Sequence, residues 1–220
     1  MKPIRPILLL TLALAAAPAL AQQDLDEISK DIVARAGQTY GNLDTISGDI
    51  HIEARASTRT VNTVSGDIEL AEGATTGRIE TVSGDIQAAG KVTAGKGVGT
   101  VSGDIYFDRG GRIGGDIETV SGDVGLVATE VSGGIETVSG DITVGIGSHV
   151  RGGIKIEKNE NGSSMNWGRP PRIVVGPNAV VDGPMVFERP VVLYVHRTAK
   201  IGRVSGATAK TFDTPTAPKD

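Results

Sequence analysis

Two periodic rows hold most of the oxygen chemistry this 220-residue chain could perform. Aspartates recur at Asp49, Asp67, Asp85, Asp104, Asp123 and Asp141, and serines stand two positions earlier, at Ser47, Ser65, Ser83, Ser102, Ser121 and Ser139. Regularly spaced carboxylates and hydroxyls could coordinate a hard cation such as calcium or hydrogen-bond a glycan. The same oxygens can instead satisfy nearby backbone amides at turns. If the copies stack as strands about 4.8 Å apart, adjacent carboxylates repel by roughly 1 kcal/mol per pair in water, and less with salt. That cost needs no cation, and the glycine-framed calcium-binding nonapeptide is not matched. The structural role is therefore the leading reading, with a calcium- or glycan-binding ladder as the alternative; no metal and no cofactor is expected.

Other candidate groups point less clearly to chemistry. Thr45, Thr63, Thr81, Thr100, Thr119 and Thr137 form a third row. An outward hydroxyl face could order ice, but the neighbouring row Asp44, Asn62, Glu80, Gly99, Glu118 and Glu136 is too charged, and the threonines read as β-favouring ladder residues. Trp167, the one tryptophan, lies in a polar stretch where it could stack on a ligand or fold back over a gap between coils. The histidines, His51, His149 and His196, lack metal-ligand spacing, and no cysteine is present. Neither a Ser-His-Asp nor a Cys-His arrangement is brought together by the repeat, so an enzyme is not expected.

The elements that position these rows follow from the repeat. Apolar-x-Thr-(Val/Ile)-Ser-Gly-Asp-(Ile/Val) occurs six times at aspartate spacings of 18, 18, 19, 19 and 18, and a degenerate copy, Leu25 to Ile32, lies one period upstream, extending the row to Ser29 and Asp31. An amphipathic capping helix over 24–36 competes with that first rung. Behind each motif apolar residues alternate, as in Ile50-x-Ile52 and Ile142-x-Val144-x-Ile146, the period of a half-buried strand. Running this phase backwards puts Val82, Gly84 and Ile86 inward; alternatively Ser-Gly-Asp makes a corner. A second column of bends, at 113–117, 131–135 and 150–154, implies at least two strand-and-bend units per coil.

The fold class expected is all-β, a parallel β-solenoid (β-helix) of about 18–19 residues per coil, with right-handed winding favoured. Residues 22–207 read as one solenoid domain carrying an inserted polar loop at 158–172, followed by a flexible tail over 208–220 rich in Thr, Pro and Lys. Before it, Lys2 and Arg5 precede an apolar run to Ala17 and an Ala19-Leu20-Ala21 site. This is the pattern of a secretory signal peptide spanning 1–21, cleaved between Ala21 and Gln22. Without the leader, 20 basic and 26 acidic residues remain, a balance that speaks against nucleic acid or an anionic membrane as partner. No later segment reads as a membrane span.

The VSGDI strings behind a signal peptide resemble a bacterial adhesin-like family of β-strand-repeat proteins, a domain of unknown function, over residues 25–156. Ile173 to Ala207 is similar to the coils of bactofilins, which are polymer-forming proteins. These resemblances imply a parallel solenoid in the cell envelope without enzymatic activity. The function expected is thus a non-enzymatic exported protein, periplasmic or at the cell surface, whose rigid face binds an envelope or surface macromolecule, protein or glycan. Self-association into an envelope polymer is a further alternative, because an uncovered solenoid end is an open sheet edge.

Overall fold

Apolar residues at every second position over three residues make strands too short to stand alone, and Ile68–Leu70, Ile86–Ala88 and Ile105–Phe107 are such strands. They are stabilised by stacking: each pairs in parallel with its counterpart one repeat away, Ile68 with Ile86 and Ile86 with Ile105. The computed structural model describes residues 22–158 and 169–218, which form a parallel β-solenoid of about ten coils without a helix.

A coil has three sides. The fourth coil runs along the first sheet as Arg78–Ser83 and turns at Gly84-Asp85. It continues along the second sheet as Ile86–Ala88, turns again, touches the third sheet as Thr93–Ala94, and returns through Gly95 to Gly97. The first and second sheets have ten strands each and the third has seven, lengthened by the bridges Thr39 to Ser57 and Ser57 to Thr75. Gln23–Glu27 and Ile32–Ala34 form the first coil, with Leu25 opposite Leu43 and Ile32 opposite Ile50. The rung, and not the helix, is therefore what residues 24–36 adopt.

Inward columns fill the prism. Leu43, Val61, Ile79, Val98, Ile117, Ile135 and Ile154 come from the first sheet, Ile50 to Ile142 from the second, and Ala94, Ile113, Val131 and Val150 from the third, all buried in one continuous core. Burying one such Ile, Val or Leu fully contributes about 1.5–3 kcal/mol, so a core almost without aromatics is sufficient when the same side chain recurs in every coil. The threonine row also points inward: Thr45, Thr63, Thr81, Thr100, Thr119 and Thr137 are buried. Thr63 Oγ1 donates to Gly48 O at 3.3 Å and Thr81 Oγ1 to Gly66 O at 3.4 Å. The hydroxyls of Thr100 and Thr119 have no hydrogen-bond partner among the described residues.

The turn from the second sheet to the third carries one left-handed residue in each of the first eight coils. Gly37, Gly73, Gly110 and Gly147 take φ of 66–77°, but Arg55, Lys91, Ala128 and Asn178 occupy the same place in other coils at 58°, 61°, 42° and 54°. The turn is thus imposed by the stack even where the residue resists it.

The ends differ from their composition. Ala209–Phe212, within the stretch 208–220 expected to be flexible, pairs with Leu193–His196 as the last strand of the second sheet. Phe212 explains this: it is buried beside Val174 and Tyr194 on the outer side of that sheet, its ring 6.5 Å from Tyr194 in an edge-to-face arrangement. The insertion at 158–172 leaves from the corner after Ile154–Ile156 and returns at Arg172–Val175, so the coils on either side stay in register.

Two stability outcomes follow. Ala128→Gly is expected to stabilise and Gly110→Ala to destabilise, each by about 1 kcal/mol, because only glycine adopts the left-handed turn without strain. Thr100→Val and Thr119→Val are expected to raise stability by about 1 kcal/mol each, since valine keeps the shape and removes a buried unsatisfied hydroxyl. Urea titration followed by circular dichroism reads both pairs.

Candidate functional site

The Ser-Gly-Asp segment is the corner between the first and second sheets. Strand alternation stops there: Thr81 is inward, Val82 and Ser83 both face solvent, and Ile86 is inward again. This corrects the phase that put Val82 and Gly84 inside. The chain has to reverse direction over two residues, so the period of two cannot be carried through it.

Each corner glycine lies against the coil before it. A Cβ added at Gly66, Gly84, Gly103, Gly122 or Gly140 would sit 1.9–2.0 Å from the carbonyl oxygen of the glycine one coil earlier. No side chain fits there. The aspartate beside it forms a ladder: Asp31 Oδ1 accepts the amide of Asp49, Asp49 that of Asp67, and so on through Asp85, Asp104 and Asp123 to the amide of Asp141, at 2.7–3.0 Å. Each carboxylate thus hydrogen-bonds the next coil's backbone, which offsets the repulsion along the row. Asp141 ends the ladder at the inserted loop. There Arg172 N supplies the amide at 2.8 Å, and the Arg169 guanidinium grips the carboxylate at 2.7 and 3.2 Å.

The serines behave differently from the aspartates. Their backbone groups join the ladder, as in Gly84 N donating to Ser102 O at 3.1 Å, but within the motif row only Ser139 Oγ makes a side-chain hydrogen bond, to Val120 O at 3.3 Å. Most of the serine row is therefore solvent-facing hydroxyl.

Beside the serines runs a feature that sequence periodicity misassigned. Ile28, Ile46, Val64, Val82, Val101 and Val120 are 44–70% exposed, one per coil, and form an apolar ridge along the solenoid. The outward column of the first sheet lies next to it: Asp44, Asn62, Glu80, Gly99, Glu118 and Glu136, continued by Lys155 and Val186. Within this column Asn62 Nδ2 donates to Asp44 Oδ1 at 2.7 Å. Arg78 pairs with Glu80 at 2.7 Å, and that hydrogen bond and charge, with a further pull from Glu118, hold the guanidinium above its ordinary range. At Gly99 the column dips, and two adjoining hollows of about 260 and 440 Å³ share Glu80, Gly99 and Glu118. The signal for the ridge was present in the repeat: the Val/Ile follows an inward threonine directly, so alternation turns it out.

The remaining candidates are scattered. His51 Nδ1 lies 3.0 Å from Glu69 Oε2 on the second sheet, His149 Nε2 lies 2.6 Å from Asp182 Oδ2 near the third, and His196 Nδ1 lies 2.9 Å from Thr198 Oγ1. Among the described residues no three His, Cys, Asp or Glu side chains are grouped to hold a metal ion. A hollow of about 610 Å³ on the second sheet's outer side is lined by Ile146, Val174 and Phe212, with Arg172 and Pro215 at its margin. Trp167 and the Ala21 side of the cleavage site lie outside the described residues; Gln22 is exposed, and its Oε1 accepts a hydrogen bond from Arg59 Nη2 at 3.1 Å.

Residues 20–125, which hold the first five full Ser-Gly-Asp corners, match the family Toastrack DUF4097, a domain of unknown function. No curated protein and no solved structure matches the chain.

The ladder sets its own test. Asp104→Asn keeps an oxygen for the Asp123 amide and removes one charge from the row, so thermal stability is expected to hold or rise slightly. Asp104→Ala leaves that amide without its acceptor and is expected to cost about 1 kcal/mol. Calcium is expected to move neither melting temperature nor that of the parent; a calcium-dependent rise lost in Asp104→Asn would restore the cation reading.

Proposed function

We propose that this Toastrack solenoid is a non-enzymatic exported envelope protein that binds another macromolecule along the outer side of its first sheet. The observation that carries this reading is the exposed ridge of Ile28, Ile46, Val64, Val82, Val101 and Val120. Solvent-facing aliphatic side chains repeated in six successive coils contribute nothing to the core, and a contiguous apolar strip bordered by polar rows is the usual composition of an interaction surface. The strip favours a protein over a glycan, because its central row offers no hydrogen-bonding side chain. The bordering carboxylates of Glu80, Glu118 and Glu136 would select a partner carrying basic residues opposite them.

Rigidity suits the surface to this use. Every ridge residue sits at the end of a first-sheet strand or one position beyond it, beside the corner ladder, so binding would order little that is not already ordered. Export is supported by the leader pattern of residues 1–21, and adhesin-like or scaffolding activity is the role such a face would serve.

A photo-crosslinking amino acid at position 101 tests the reading in cells. Partner adducts are expected at 101 and not at Gln87, which is exposed on the second sheet, and they should disappear in Val82→Lys/Val120→Lys. Equal crosslinking from both positions, or adducts that survive the lysines, would reject the ridge as the binding face.

A further inference from the structure

We propose that the first described coil is built to refuse a neighbouring strand layer beneath it, so that this end of the solenoid is closed to a second copy of the chain. The argument starts from the direction of the corner contacts. A Cβ at Gly48 would meet Lys30 O at 2.2 Å, one at Gly66 would meet Gly48 O at 2.0 Å, and the relation repeats upward. The glycine in any coil is therefore demanded by the coil before it and never by the coil after it.

Lys30 occupies this glycine position in the first coil, immediately before Asp31 in the ladder. By the geometry of the unbroken corners from Gly48 to Gly140, its Cβ fills the place where the carbonyl oxygen of such a corner in a coil beneath would have to lie. Stacking above Lys30 proceeds normally, as Ser47 N donating to Ile28 O at 3.0 Å shows. The residue blocks growth in one direction only.

Two further features act at the same edge. Glu27 stands opposite Thr45, in the inward threonine column, with its side chain 40% exposed and its carboxylate 3.7 Å from Lys30 Nζ. A coil laid beneath would remove that carboxylate from water. The pairing of the first strand also shifts register between Gln23 and Leu25. A lysine, an inward-pointing charge and a bulge are three independent ways of spoiling a sheet edge for further pairing, and here they fall within one strand and its corner.

The test adds a coil below the block. A copy of residues 41–58 placed directly before Gln23 continues the register, since Leu25 is already opposite Leu43. In the parent background the added coil is expected to remain undocked, with amides that exchange rapidly and an unchanged melting temperature. In Glu27→Thr/Lys30→Gly the same coil is expected to dock, with protected amides and a melting temperature raised by several degrees. Lys30→Gly alone serves as a second background should the double variant fold poorly. Docking in the parent background would overturn the proposal. So would an added coil that stays undocked in both variant backgrounds while their forms without the insertion melt like the parent.

Discussion

At the corner between the first and second sheets, the backbone of one coil passes so close to the backbone of the next that no side chain fits between them. The carbonyl oxygen of each corner glycine lies where a Cβ of the following coil would be. From this contact the other regularities follow. Where the chain runs unbroken from the first sheet over another such corner the glycine is required, whereas after the insertion Pro171 stands at this register above Gly140. The aspartate beside the corner glycine is brought within reach of the next coil's amide, and in two coils the threonine before it, Thr63 or Thr81, reaches back to a glycine carbonyl. A row of like charges that would be unfavourable in isolation becomes a chain of charge-assisted hydrogen bonds.

The same contact explains where the repeat is allowed to change. The insertion at 158–172 enters at this corner, where strand pairing is already interrupted. Arg172 N then takes the position of the missing aspartate amide, and Arg169 neutralises the last carboxylate. The first coil changes at the same position in the opposite sense, with Lys30 where no earlier corner demands glycine. Away from the corner the sheets continue with other residues: Ile156 and Phe187 succeed the threonines in their column, and Met185 extends the column of Ile154. Coils beyond the insertion thus keep the three-sided plan without the motif.

Repetition also shapes the surface. Because each coil places the same position at the same point of the perimeter, any outward residue in the motif becomes a row about 4.8 Å in pitch. Serine hydroxyls, β-branched aliphatics and carboxylates run side by side along the first sheet, and Gly99 opens the one dip in the carboxylate row among the described coils. Fold and surface therefore come from the same eight residues: those that face inward hold the stack, and those that face outward set the rows along its side.

The repeat length, parallel stacking and strand alternation were legible in the residues themselves, because a period near 18 with apolar residues two apart leaves few other ways to bury them. The degenerate first rung was readable for the same reason, since Leu25 to Ile32 keeps the apolar positions while losing the glycine. What sequence could not decide was the phase through Ser-Gly-Asp. Two readings put Val82 on opposite sides of the sheet, and only the corner, where two consecutive residues face out, exposes it. Composition likewise marked 208–220 as tail, yet Phe212 anchors Ala209–Phe212 to the second sheet through Val174 and Tyr194, residues 38 and 18 positions earlier in the chain. Local pattern determined which residues repeat and which alternate, because those are properties of neighbours along the chain. Which rows face solvent, which carboxylate meets which amide and where a Cβ has no room were decided by contacts between coils, and those exist only once the chain has wound upon itself.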